Sequence, residues 1–346
     1  MDSRERYVRA LTFQGPDRVP IMHHSVRGAF RAHGKALEEL YARYPSDVLL
    51  SPRSHGPFSF DDHPRGLGTV GQVTYDDWGC GWLWNTADYM GQAVEHPLKD
   101  WAALEGYTAP DPMTGDAGVE YMAEVVRQDG HRHFVFVDGG ELFQRMFFLR
   151  GMEDMLVDLL EDCPEVYVLR DMVTEFNIKR IQRWLETRVV DGVIFRDDWG
   201  TQTQLMVRPA IWRKVFKPAY RRILETIHDG GAYASFHSDG VISEIIPDLV
   251  EMGWDELNPQ VLLMGIEELG RLYGGKVCFR ADTDRQWTLP YGRPEDVRAL
   301  VLRLFDAFGR HNGGYVGWGE ITSDVPLANA SAMLETAFTL KYGPPV

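Results

Sequence analysis

The chain has 346 residues, 44% of them hydrophobic, with 51 Asp and Glu against 36 Lys and Arg and a formal net charge of −15. That is enough apolar sequence for a large core, and the acid excess leaves no basic stripe to neutralise phosphates, so nucleic acid and anionic membrane surfaces are excluded as expected partners. Cys80, Cys163 and Cys278 lie far apart with no Cys-x-x-Cys pair, which argues against a disulfide scaffold and a thiolate zinc cluster.

The opening MDSRERYVRALTF is charged and amphipathic where a signal peptide needs an apolar segment. No run approaches about 18 apolar residues, so a cytoplasmic protein is expected. Arg18 to Met22 and Asp47 to Ser51 read as strands, with Arg27 to Tyr44 as the helix between them. Pro52 to Pro112 breaks the alternation: Gly66, Gly68, Gly71, Gly79, Gly81, Trp78, Trp82 and Trp84 carry little helical period. It reads as an insertion, either a lid over a site or a loop packed for stability.

From about Gly130 onward, short apolar runs alternate with long amphipathic ones. Strands are expected at His133 to Val137, Gly192 to Phe195, Ala232 to Phe236, Glu256 to Asn258, Lys276 to Arg280 and Gly314 to Trp318. Helices are expected at Glu165 to Thr187, Ala210 to Asp229, Val241 to Met252, Ile266 to Tyr273, Pro294 to Gly309 and Leu327 to Tyr342. Together these make eight strand-helix units, the pattern of one (β/α)8 barrel spanning residues 1–346, with 52–112 inserted after the second strand. A doubly wound open sheet is the alternative, but it would normally carry a GxGxxG or GxxxxGK[ST] loop, and the chain has neither.

In such folds the chemistry sits at the C-terminal ends of the strands, and the polar residues of this chain gather there. His237-Ser238-Asp239-Gly240 ends the fifth strand, placing an imidazole and a carboxylate where they can hold a divalent metal or act as an oriented general base. The bland alternative is that Asp239 caps the next helix. Asp197 and Asp198 end the fourth strand and, being adjacent, should diverge, so that at least one is a catalytic candidate unless it merely receives loop amides. Trp199 and Gln202 continue that loop as a stacking face and a hydrogen-bonding arm. Other tips offer His23 and His24, Ser54 and His55, Asp138 and Glu141, Asn258 and Gln260, Arg280 and Asp282, and Glu320. Of these, His23, His24, His55, Asn258, Gln260, Arg280 and Asp282 are taken, with Trp199 and Gln202, as candidate substrate-binding residues. Arg27, Arg53, Arg196 and Arg280 are the only well-placed cations, too few for a multiply anionic substrate.

Several blocks resemble the uroporphyrinogen decarboxylase superfamily, which contains both decarboxylases and corrinoid- or coenzyme-M-linked methyltransferases. They are RERYVRALTFQGPDRVPI, DDWGCGWLW, VEHPLKDWAALEGYTAPDP, FFLRGMEDMLVDLLEDCPE, DGVIFRDDWGTQTQLMVRPAIWRKVFKPAYRRI, ASFHSDGVISEIIPDLVEMGWDELNPQ and DVPLANASAMLETA, running through nearly the whole chain. The resemblance implies a (β/α)8 barrel. The decarboxylase branch carries an arginine-rich MRQAGRYLPEY-type signature, whereas this chain reads MHHSVRGAFRAHG after its first strand. The methyltransferase branch holds zinc through a His-x-Cys pair and a distant Cys. At those places stand His237, Asp239 and, beside Gly319, Glu320, a harder set that puts the thiol acceptor in doubt.

The resemblance therefore implies a methyltransferase or demethylase-type enzyme, with His237, Asp239 and Glu320 as ligands of a divalent metal, zinc by analogy. Asp197, Asp198 and Gln202 would position a small methylated donor and the Trp-rich segment would shield the transferring methyl. The acceptor implied is a corrinoid on a partner protein, and a homodimer is expected. The alternatives are a decarboxylase acting on a carboxylated substrate, with Arg280 or Arg27 binding the carboxylate, and a non-catalytic ligand-binding barrel.

Overall fold

The computed structural model describes residues 1–51, 69–86, 91–113 and 116–343, and within them the side chains of Arg27, Asp116 and Ala117 are excepted. Val48–Leu50 (β2), Phe134–Gly140 (β3), Gly192–Arg196 (β4), Tyr233–Ser238 (β5), Glu256–Pro259 (β6) and Cys278–Phe279 (β7) form a parallel sheet of six strands in sequence order. A separate parallel pair joins His24–Ser25 (β1) to Glu320–Ile321 (β8). Isolated parallel bridges link Phe279 to Tyr315, Asp282 to Trp318 and Ile21 to Gly317. Asp47 N–H donates to the Ile21 carbonyl at 2.8 Å.

Helices cover the sheet because its strands are apolar on both faces: Val135, Val137, Val193, Phe195, Ala234, Phe236 and Leu257 are all buried in the largest hydrophobic cluster. The opposite face turns inward around Phe134, Phe136 and Ile194, against which Tyr7 of the N-terminal helix Ser3–Leu11 stacks at 4.5 Å from Phe134. Polar residues also enter this interior. Arg280 Nε and Ser235 Oγ both donate to Glu256 Oε1, at 2.8 and 2.6 Å, and Tyr7 Oη donates to Glu256 Oε2.

Several expected helices are shorter or divided. Arg27 to Tyr44 is two helices, Arg27–His33 and Lys35–Arg43, broken at Gly34, whose φ is +48°. Ala210 to Asp229 becomes Pro209–Val215 and Lys217–Asp229, because Pro218 brings no N–H to a continuous ladder. The helix after β5 begins at Ile246 rather than Val241. The expected strand Gly314 to Trp318 is present only as bridges, with regular pairing resumed at Glu320.

The described part of the insertion contains a three-stranded antiparallel sheet, Val73–Tyr75, Gly81–Leu83 and Gln92–Glu95. Trp78, Trp82 and Trp84 are buried; Trp78 packs on Phe176 and Trp82 on Phe148, with ring centroids 4.6 and 4.7 Å apart. No described helix is long and apolar enough to cross a membrane.

Candidate functional site

Parallel register puts Arg196 beside His237 and His237 beside Asn258 at the C-terminal ends of β4, β5 and β6. Residues in register on neighbouring parallel strands share a face, so His237 and Asn258 stand side by side above Ser235 and Glu256. Asn258 Nδ2 donates to the Arg280 carbonyl, which turns its Oδ1 toward His237 Nδ1 at 2.8 Å. Oδ1 can only accept, so Nδ1 carries the proton and Nε2 of the neutral ring presents a lone pair.

That lone pair faces two carboxylates: Asp239 Oδ1 is 3.6 Å and Asp198 Oδ1 3.7 Å from His237 Nε2. Three acceptors turned toward one point require a proton on Nε2 or a cation between them. Ligand atoms of Asp198, His237 and Asp239 all lie within 4.8 Å of one another.

The loops after β4 and β5 supply the two aspartates and are locked backbone to backbone. Trp199 N donates to Ser238 Oγ, Gly200 N to the Asp239 carbonyl, Val241 N to the Thr201 carbonyl and Asp239 N to Asp198 Oδ1. The crossing is so close that a Cβ on Gly240 would lie 2.2 Å from the Gly200 carbonyl, and Gly240 also has φ +77°. Only glycine permits this approach. Gln144 Nε2 donates to the other Asp198 oxygen at 3.0 Å. Desolvation raises the Asp198 pKa, joined by repulsion from Asp239 and opposed by His237 and the amide of Asp239.

Arg285, which sequence reasoning missed, organises the far side. Its guanidinium lies 2.5 Å from Asp239 Oδ2, 3.5 Å from Glu320 Oε2 and 3.9 Å from Asp282 Oδ2. Glu320 Oε2 also lies 3.1 Å from His24 Nε2, whose ring stacks on Trp318. Desolvation would raise Glu320, but the His24 hydrogen bond and the nearby positive charges outweigh it and hold the group below its ordinary value. The available signal was a cation three residues beyond Asp282 in the same post-strand loop.

The other expected residues divide. Asp198, rather than the Glu320 expected with them, lies close to His237 and Asp239, because β4 is the register neighbour of β5 whereas Glu320 is engaged by His24 and Arg285. Asp197 is not in the cluster. It is fully buried and accepts from the amides of Leu142, Phe143 and Gln144 and from Tyr220 Oη, capping the helix Phe143–Arg150. Burial nevertheless pushes it up to about 7. Trp199 is buried, stacked on Phe143 at 4.1 Å and bonded to Tyr220.

Gln260 accepts from Gly240 N and so braces the Asp239 loop. Arg280 lies deeper, paired with Glu256. His23 turns away, stacked on Tyr41 with Nε2 donating to the Tyr44 carbonyl. Gln202 is exposed on its loop, and Arg196 pairs with Asp138. Asp282 is buried, with Oδ1 making no hydrogen bond. His55, with Arg53 and Ser54, lies outside the described residues, as does the Arg27 side chain.

With this geometry in view, comparison with solved structures is informative. A methyltransferase from Methanosarcina mazei superposes with a TM-score of 0.73 over 97% of this chain and 98% of that one, at 15% sequence identity. The chain has the fold of that methyltransferase. A Silicibacter pomeroyi protein assigned as a glycerophosphoryl diester phosphodiesterase (TM-score 0.44, 10% identity, 99% of this chain and 100% of that one) and an alpha-amylase from Malbranchea cinnamomea (TM-score 0.33, 10% identity, 98% and 75%) align more loosely and bear on nothing below. No protein-family model and no curated protein sequence matches the chain.

Proposed function

We propose that this chain is a methyltransferase-type enzyme of the uroporphyrinogen decarboxylase superfamily, moving a methyl group from a small methylated donor toward a corrinoid on a partner protein or another nucleophilic acceptor. The methyltransferase fold neighbour supports this at the level of architecture. The sheet is read as closing into a (β/α)8 barrel, supported by the bridges from Phe279 to Tyr315, from Asp282 to Trp318 and from Ile21 to Gly317, and by the Asp47 to Ile21 backbone bond. The strand ends then form one mouth, where such folds carry their chemistry.

The observation that carries the reading is the His237 lone pair facing Asp198 and Asp239. One imidazole nitrogen and two carboxylates suit a borderline or hard divalent cation, and Asp239 Oδ1, buried without a hydrogen bond, is a donor in want of such a partner. When bound there, a divalent cation would supply Lewis acidity toward a lone pair of the bound substrate. The chain's own contribution is orientation: Asn258 fixes the His237 tautomer, Gln144 and the Asp239 amide aim Asp198, and Arg285 holds Asp239 from behind.

The test is elemental analysis of the purified protein after metal repletion, beside His237→Ala and Asp198→Ala. Stoichiometric zinc, manganese or another divalent metal in the parent and its loss in both variants is the expected result. A parent that takes up no metal overturns the metal-assisted reading.

A further inference from the structure

Charge at the site is unbalanced in one direction. Asp239, Asp282 and Glu320 share the single guanidinium of Arg285, and Asp198 adds a fourth carboxylate beside His237. Among the described residues, and with every acid counted as ionised, the acids outnumber the cations by one when both His237 and His24 are protonated and by three when their rings are neutral. The imbalance is concentrated at Asp282, which is 5% exposed. Its Oδ1 is buried with no hydrogen bond, and its Oδ2 stands 3.9 Å from Arg285 Nε, beyond hydrogen-bond range. Arg285 makes its short contact with Asp239 instead, at 2.5 Å.

A buried carboxylate oxygen left without a hydrogen bond is costly, so native proteins keep one where something else completes it. Burial raises the Asp282 pKa well above the ordinary carboxylate range, with Asp239 and Glu320 adding to the rise and Arg285 opposing it. A metal at Asp198, His237 and Asp239 leaves this second want unmet, because Asp282 is not among the clustered ligands. An anionic donor would meet four carboxylates and a guanidinium already engaged, and an uncharged donor would leave Asp282 Oδ1 unsatisfied.

We propose that the methyl donor is an onium compound, a methylated ammonium or sulfonium with a permanent positive charge, and that Asp282 is its anchoring carboxylate while Arg285 keeps Asp239 and Glu320 from collapsing onto it. This rests on the methyl-transfer reading and names its substrate class. With such a donor the leaving group departs neutral, the electron pair of the broken bond to methyl staying on nitrogen or sulfur, so no proton need be delivered to it.

Isothermal titration of the full chain with choline and with its uncharged isostere 3,3-dimethylbutan-1-ol, at fixed ionic strength, tests the proposal. Choline is expected to bind at least about ten-fold more tightly, and Asp282→Asn to lose about ten-fold or more of choline affinity while leaving the alcohol unchanged. Glu267→Gln, on the outer surface, should alter neither. Equal affinity for the two probes, binding of neither, or an Asp282→Asn protein that holds choline like the parent overturns the proposal, as does loss of metal rather than of choline in that variant. Should Asp282→Asn fail to fold, the parent comparison and Glu320→Gln, expected to weaken choline binding alone, still decide. Choline selectivity without methyl transfer to free corrinoid would overturn the methyl-transfer reading and leave the cation site standing. Methyl transfer from an uncharged methyl ether, with no preference for choline, would overturn the onium proposal alone.

Discussion

At the scale of single residues, the decisive contact is one hydrogen bond. His237 presents Nε2 to Asp198 and Asp239 because its Nδ1–H donates to Asn258 Oδ1, and Asn258 is held in turn by the Arg280 carbonyl. Asn258→Leu is therefore expected to weaken divalent-metal binding about 10–100-fold, measured by competition with a chelating dye, with the fold intact by circular dichroism. Unchanged metal affinity would mean that the ring is oriented by something else. His23, one residue from His24, behaves differently: burial lowers its pKa to about 4 from an ordinary 6.5, against the pull of the Tyr44 carbonyl. The unfolded chain thus binds a proton that the folded chain refuses, so stability from the neutral ring is present above pH 6.5 and is lost as pH falls toward 4. His23→Phe should flatten the slope of the melting temperature between those pH values, and a slope equal to the parent's would contradict the assignment. His23 and His24 look equivalent in the sequence; what separates them is that one packs on Tyr41 and the other pairs with Glu320.

At the scale of elements, the insertion is tied to the body by a buried ion pair. Asp76 accepts from the amides of Trp78 and Cys80 and from Trp82 Nε1, and pairs at 2.6 Å with Arg145, which is 2% exposed and also grips Glu141. Its Trp and Gly content marked the segment as irregular, but only the structure shows Trp78 and Trp82 packed inward on Phe176 and Phe148. Asp76→Ala takes one of its two carboxylates from the buried Arg145 guanidinium and is expected to cost about 3–5 kcal/mol in urea unfolding. Asp76→Leu with Arg145→Met should recover part of that loss, and a double variant as unstable as the single would rule out charge desolvation as the cause. The loops after β4 and β5 show the same division. Both aspartates at their tips were visible in the sequence, and adjacency told that Asp197 and Asp198 must diverge. Which one turned inward to cap a helix and which reached His237 depended on Leu142 to Gln144, more than fifty positions away in the chain.

At the scale of the whole molecule, four elements meet in a polar knot inside the sheet: Tyr7 from the N-terminal helix, Ser235 from β5, Glu256 from β6 and Arg280 after β7. Among the described residues Tyr7 is the donor to Glu256 Oε2, and Tyr7→Phe, which removes it, is expected to destabilise the whole fold by about 1–3 kcal/mol in a single cooperative transition. A change confined to local fraying of the N-terminal helix would show that the knot does not couple the ends of the chain. The sequence by itself determined the alternation of strand and helix, because hydrophobic period and turn residues are local properties. It also marked the strand ends as the place for chemistry, with His237, Asp198 and Asp239 among the candidates. Only the tertiary structure decided which of those polar tips meet. Register joined β4 to β5, an Arg285 unremarkable in sequence claimed Asp239 and Glu320, and burial left Asp282 Oδ1 without a hydrogen bond. Such outcomes depend on distances between segments far apart in the chain, which no local pattern encodes.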